Sequence, residues 1–197
     1  HLALNLHPAM GVDSSEDIFP GMAADMGLDA DTTRTIPWQL EDKNFYKAFA
    51  NNFLRPLERQ GVDFWWLDWQ QHLTSHATPG LGETFWCNPV FFNDMKQNRS
   101  EHRPVIFHRW GGLGSHRYQI GFSGDTFINY ASLAFQPYFT ATASNVCYGY
   151  WGHDIGGHMY DSSYPVNDPE LLLRWFQFGV FTPIYRSHAA IGTWINR

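Results

Sequence analysis

Apolar residues in this chain gather in short, non-alternating runs, each followed closely by a charged or imidazole side chain. LALNL (2–6) stops at His7-Pro8, VDFWWL (62–67) at Asp68 and PVIFH (104–108) at Arg109. VCYGYW (146–151) comes just before His153-Asp154, and FTPIYR (181–186) just before His188. Runs without alternation read as strands buried on both faces of a parallel sheet. YQIGF (118–122) is a weaker run of the same kind, just ahead of Asp125.

Between the runs the period changes. Phe45, Phe49, Phe53 and Leu57 recur every four residues and predict a helix over 41–60, with Pro56 disturbing its last turn and Gly61 ending it. Further helices are expected near 89–99, after Asp125 through Ile128, Leu133 and Phe135, and over 168–179. The last of these opens on Asp168-Pro169, an N-cap followed by proline at the first helical position. Residues 8–40 are polar and carry Gly, Pro and Asp throughout, so they read as a long loop insertion with little regular structure.

Strands alternating with helices imply a parallel sheet with helices outside it, an α/β fold. His7, Asp68, His108-Arg109, Asp125, His153-Asp154, and Arg186 with His188 all follow strands. A (β/α)8 TIM-type barrel builds its active site from such strand ends, whereas an open doubly wound sheet gathers its ligand contacts at one switch point. The spread of these residues over nearly every strand favours the barrel.

Composition narrows the function. The chain has 197 residues, 17% of them aromatic and 16% charged, with a formal charge of −6, so it can bury a full core. Its basic residues are scattered, which argues against a nucleic-acid partner. No apolar run reaches the ~18 residues of a membrane span, and Cys87 and Cys147 lack the spacing of a metal site or a disulfide framework. His153 and His158 do not form a zinc pattern, and the glycines at 111, 112 and 114 lack the Gly-Lys-Ser/Thr of a phosphate loop. No metal and no cofactor are expected. What stands out is a pair of aspartates, Asp68 and Asp125, each delivered by an apolar run among tryptophans and histidines. Two such carboxylates suit acid/base or nucleophilic chemistry on a sugar, with one ionised and the other protonated, about 5–5.5 Å apart for hydrolysis with retention.

FWWLDWQQ, HRWGGLGSHRYQIGFSGD, YWGHDIGGH and FTPIYRSHA occur in the order found in glycoside hydrolase family 31, which this chain resembles over most of its length. LNLHP at 4–8 is similar to the family's third barrel strand. The resemblance implies a retaining α-glycosidase (α-glucosidase or α-xylosidase-like) on a (β/α)8 barrel, with an oligosaccharide or glycoside as substrate. Asp68 matches the nucleophile and Asp125 the general acid/base. Arg109 matches an arginine that contacts substrate, and Asp154 and His188 match residues lining the sugar subsite. Trp66, two positions before Asp68 and so on the same face of its strand, is expected as a pocket wall. His7 and Trp151 complete the expected substrate-binding set. Gln70-Gln71 stand where the family often has Asn-Glu. The runs supply six strands, and a full barrel of about 250 residues needs eight. The expectation is therefore an incomplete catalytic barrel, strands three to eight, with uncovered sheet edges open to self-association. HLALNLHPAM reads as an internal strand, so localisation stays undecided. Two alternatives remain open: a metal-dependent hydrolase on the same barrel, and a catalytically inactive sugar-binding fragment.

Overall fold

The computed structural model describes residues 1–68, 77–109, 112–165 and 167–188. Gln70, Gln71 and Gly111 lie outside the described residues. The chain divides into two compact units, residues 1–106 and 107–197.

In the first unit, β1 (Ala3–Leu6) runs parallel to β4 (Phe64–Leu67), with Asn5 opposite Trp66 and Leu6 opposite Leu67. The connection between them holds more regular structure than its composition predicts. It contains a short antiparallel pair, β2 (Val12–Asp13) with β3 (Thr35–Ile36), and a helix, α1 (Phe19–Asp25). Phe19, Met22 and Ala23 are buried on that helix, at the i, i+3, i+4 spacing of an apolar stripe. Elements of two and seven residues are too short to set up a period that an eleven-residue window can detect.

The expected helix at 41–60 is present but not uniform. It runs as α2 (Lys43–Phe49), a π-helical turn (Ala50–Leu54) and α3 (Arg55–Arg59). Asp42 caps it by accepting from Asn44 N–H at 2.8 Å. The π turn passes Arg55 N–H to the Ala50 carbonyl, and Pro56 falls in the first turn of α3, where a missing N–H costs nothing. Trp38 meets Phe45 and Phe49 edge-to-face at 5.3 and 5.5 Å, and Phe53 lies against Trp65 at 5.9 Å, tying the aromatic stripe to β4. Helix α4 spans Glu83–Asn98, starting six residues before the sequence expectation, and buries Cys87, Phe91 and Met95.

The second unit holds three parallel strands, β5 (Ile106–Arg109), β6 (Gly121–Phe122) and β7 (Trp151–Gly152), in that order. The expected final strand at 181–186 is reduced to parallel bridges, Ile184 with Gly152 and Ser187 with Ile155. Gly121 is required where it stands, since a Cβ there would come within 2.6 Å of the Trp151 and Tyr148 rings. Helix α5 (Tyr130–Ser144) is capped by Asn129, and α6 (Pro169–Gly179) by Asp168, as the Asp-Pro pair predicts. Leu133, Ile155, Leu171 and Trp175 form the core of this unit. No helix among the described residues is long and apolar enough to cross a membrane.

Candidate active site

The first unit supplies His7, Trp66 and Asp68. The parallel register carries both chains to the same edge, where Asp68 N–H donates to the Leu6 carbonyl at 3.0 Å and so stands one residue past the end of β4. Asp68 is 7% exposed. Its Oδ2 accepts from Asn5 Nδ2 at 2.7 Å and lies 3.1 Å from His7 Nε2. Asn5 and His7 are two apart on one chain and share a face by strand alternation. Trp66 is half-buried on the face of β4 that Asp68 extends. Asn5 is a neighbour of Asp68 that the sequence does not single out. Its signal was available: in LNLH it occupies the alternation position that His7 continues.

The second unit supplies Arg109, Asp125, Trp151, Asp154 and His188. Arg109, the last residue of β5, is buried and donates from Nη2 to Asp125 Oδ1 at 2.8 Å. The guanidinium reaches across Gly124, whose left-handed backbone (φ +75) lacks a side chain. A Cβ there would lie 2.7 Å from Arg109 Nη1. The arginine also lies over the Phe122 ring, 5.6 Å from its centroid. The neighbouring His108 points elsewhere, to the carbonyls of Arg109 and Tyr118, and burial pushes its pKa down.

Asp154 is nearly inaccessible and pairs with Arg186, whose guanidinium also covers the rings of Phe107 and Phe122 at 5.3 Å. Burial pushes the Asp154 carboxyl up, while Arg186 and His188 draw it back down and Asp125 adds a smaller upward push. Its N–H donates to Ser123 Oγ at 3.2 Å, which joins the β7 loop to the β6 loop just ahead of Asp125. His188 meets His158 edge to edge, the rings nearly parallel, with Nε2 2.9 Å from His158 Nδ1. The second unit thus brings Arg109 together with Asp125, and Asp154 together with Arg186 and His188. Arg186 and His158 sat inside the sequence motifs without an assigned role.

Trp151 is placed differently. It is 2% exposed and packs against Phe139 of α5 at 5.0 Å and Tyr148 at 4.9 Å, toward the helix layer. There it lines a cavity of about 560 Å³ together with Phe135 and Gln136 of α5. His153, two residues on, faces the same layer, 3.1 Å from Thr140 Oγ1, and burial, aided by Arg186, lowers its pKa to about 4. Asp154 is one residue out of phase with both. Among the described residues no group of three or more His, Cys, Asp or Glu is arranged to hold a metal ion.

Comparison with known proteins bears on this arrangement. Residues 33–197 match the profile of the glycosyl hydrolases family 31 TIM-barrel domain. An alpha-xylosidase of Saccharolobus solfataricus is 26% identical over 214 residues, which cover 96% of this chain and 28% of that protein. Alpha-glucosidase 2 of Bacillus thermoamyloliquefaciens is 31% identical over 110 residues, 55% of this chain and 13% of that one. Among solved structures, a family 31 alpha-xylosidase from a soil metagenome, complexed with xylose, superposes with a TM-score of 0.70 at 22% identity, over 96% of this chain and 31% of that chain. A dextranase of Flavobacterium johnsoniae, complexed with isomaltotriose, gives 0.65 at 23% identity, over 83% and 23%. The chain spans less than a third of the length of these relatives.

Proposed function

The chain belongs to glycosyl hydrolase family 31, through its TIM-barrel domain, and from that membership we propose that it carries the catalytic face of a retaining hydrolase of terminal α-linked xylosides or glucosides. In this reading the whole chain is one catalytic barrel segment. Asp68 attacks the anomeric carbon and forms a covalent glycosyl-enzyme. Asp125 protonates the departing oxygen and then, as a base, takes a proton from the water that releases the sugar. The observation that carries the reading is that each aspartate stands just past the carboxyl end of a parallel strand and is oriented there by donors from the neighbouring strand.

The two sets of neighbours support different tasks. Asn5 and His7 both address Asp68 Oδ2, which anchors that oxygen, and in this reading Oδ1 attacks the anomeric carbon. Arg109 holds Asp125 through Oδ1, and in this reading the other oxygen faces the departing group. His188 supplies a ring nitrogen for sugar hydroxyls, with Asp154 buried behind it on Arg186, and such contacts strengthen as positive charge grows on the reacting carbon. His7 and Trp66 would flank the sugar on the Asp68 side. Trp151 serves the packing of α5 in this reading and does not touch the sugar.

The test uses the full-length enzyme with aryl α-xylosides and α-glucosides of graded phenol acidity. Asp68→Ala is expected to reduce turnover of every substrate to background. Asp125→Ala is expected to lose about 10²–10⁴-fold on poor leaving groups and far less on acidic phenols, which need little protonation. Equal losses across the series would remove Asp125 from the acid role, and inversion at the anomeric carbon would remove the covalent intermediate.

A further inference from the structure

The loop after β7 doubles back on itself. Gly156 and Gly157 both take left-handed backbone (φ +103 and +83), and a Cβ on Gly157 would meet Ile128 and the Phe127 carbonyl at 3.0–3.1 Å. The turn delivers His158 to the segment that follows Asp125. The N–H groups of His158 and Met159 both donate to the Thr126 carbonyl, at 2.8 and 2.9 Å, and Ile128 N–H returns a bond to Met159 at 2.9 Å. While its backbone is fastened there, the His158 side chain reaches the opposite way. Its ring lies nearly parallel to that of His188, centroids 4.9 Å apart and 19° between planes, with Nδ1 2.9 Å from His188 Nε2. His188 is pinned in turn by its own N–H, which donates to the Ile155 carbonyl at 3.0 Å.

Two imidazole nitrogens at this distance share a single hydrogen, so one donates and the other is bare. Once one ring is fixed, the tautomer of the other follows. His188 also acts electrostatically on Asp154, which pairs with Arg186. We propose that His158 is a positioning residue: it sets the ring orientation and tautomer of His188, and it couples that ring to the backbone carrying Asp125. His158 touches no substrate in this proposal and acts through His188. The kinetic consequence rests on the glycosidase reading above; the hydrogen bond does not.

The experiment compares full-length wild type with His158→Phe, which keeps a flat ring but has no ring nitrogen, and His158→Asn, whose amide stands near the position of Nδ1. Loss of one oriented hydrogen bond is expected to raise KM for an α-xyloside or α-glucoside roughly tenfold in His158→Phe, with a smaller change in kcat. His158→Asn is expected to recover KM to within about threefold. In parallel, selective ¹⁵N-histidine labelling reads which nitrogen of His188 carries the proton. One tautomer is expected in wild type and a mixture in His158→Phe. Equal impairment of the Phe and Asn variants would reduce His158 to packing, and a His188 already mixed in wild type would overturn the proposal even where a variant does not fold. If the wild-type enzyme cleaves no α-glycoside, the proposed function fails and the nitrogen signals alone decide the role of His158.

Discussion

Asp68 and Asp125 are held by opposite kinds of neighbour. Asp68 in the first unit is secured by an amide and an imidazole from the adjacent strand, both fixed by parallel register. Asp125 in the second unit is secured by a guanidinium that extends across a glycine with left-handed backbone. Register can place a residue without any special side-chain chemistry, because residues two apart on one strand share a face. The second unit relies instead on charge pairs, Arg109 with a partly exposed Asp125 and Arg186 with a fully buried Asp154. Such pairs contribute orientation at the cost of desolvation, and they fail severely when one partner is lost. The first arrangement is therefore expected to degrade gently under substitution and the second sharply.

The largest effect should come from Arg186→Met, which leaves Asp154 buried without its partner. Chemical denaturation of the full-length protein is expected to show a loss of about 3–5 kcal/mol, and a loss below about 1 kcal/mol would mean the pair behaves as a surface bridge. A pH scan probes the same unit through His153. Its folded pKa near 4 lies below its ordinary 6.5, so the unfolded chain takes up the proton first as pH falls. Stability contributed by the neutral ring is full above about pH 6.5 and is lost progressively toward pH 4, by up to about 3 kcal/mol. His153→Gln should flatten that part of the curve, and an unchanged slope would count against the buried neutral ring.

Two smaller effects separate the aspartates directly. Gly124→Ala imposes a side chain on left-handed backbone against Arg109, and activity is expected to fall about a hundredfold as the arginine is displaced from Asp125. Asn5→Ala removes a donor from Asp68 Oδ2 and is expected to lower kcat about tenfold with little change in melting temperature. If Asn5→Ala proved the more damaging of the two, the contrast between register-held and charge-held aspartates would be reversed.

The same contrast explains what could be read from the sequence. The barrel fold and family were legible because apolar runs ending at Asp68 and Arg109 are local features, and four such motifs in order are specific. Asn5 was legible in principle by alternation from His7. The Asp154–Arg186 pair and the His158–His188 contact join residues 32 and 30 positions apart through loops, and no period in the sequence encodes which loop residues meet. Trp151 shows the converse. It is expected in the substrate-binding set, and its ring packs against Phe139 and Tyr148, one residue of strand phase away from Asp154. The 8–40 segment was underread because its elements are shorter than a detectable period, although Phe19, Met22 and Ala23 already carried the helical spacing.

The π turn at Ala50–Leu54 has a consequence for the tolerance of the first unit to deletion. A four-residue repeat on a regular α-helix overshoots a full turn by about 40° at each step, so Phe45, Phe49, Phe53 and Leu57 would spiral away from Trp38 and Trp65. The extra residue in the π turn unwinds the helix at the middle of the ladder, and Phe49 and Phe53 remain stacked at 5.2 Å. The π turn thus matches the four-residue spacing of the aromatic ladder. Deleting Asn51 would leave a more regular helix and a worse core, since every aromatic beyond the deletion would swing by about 100°.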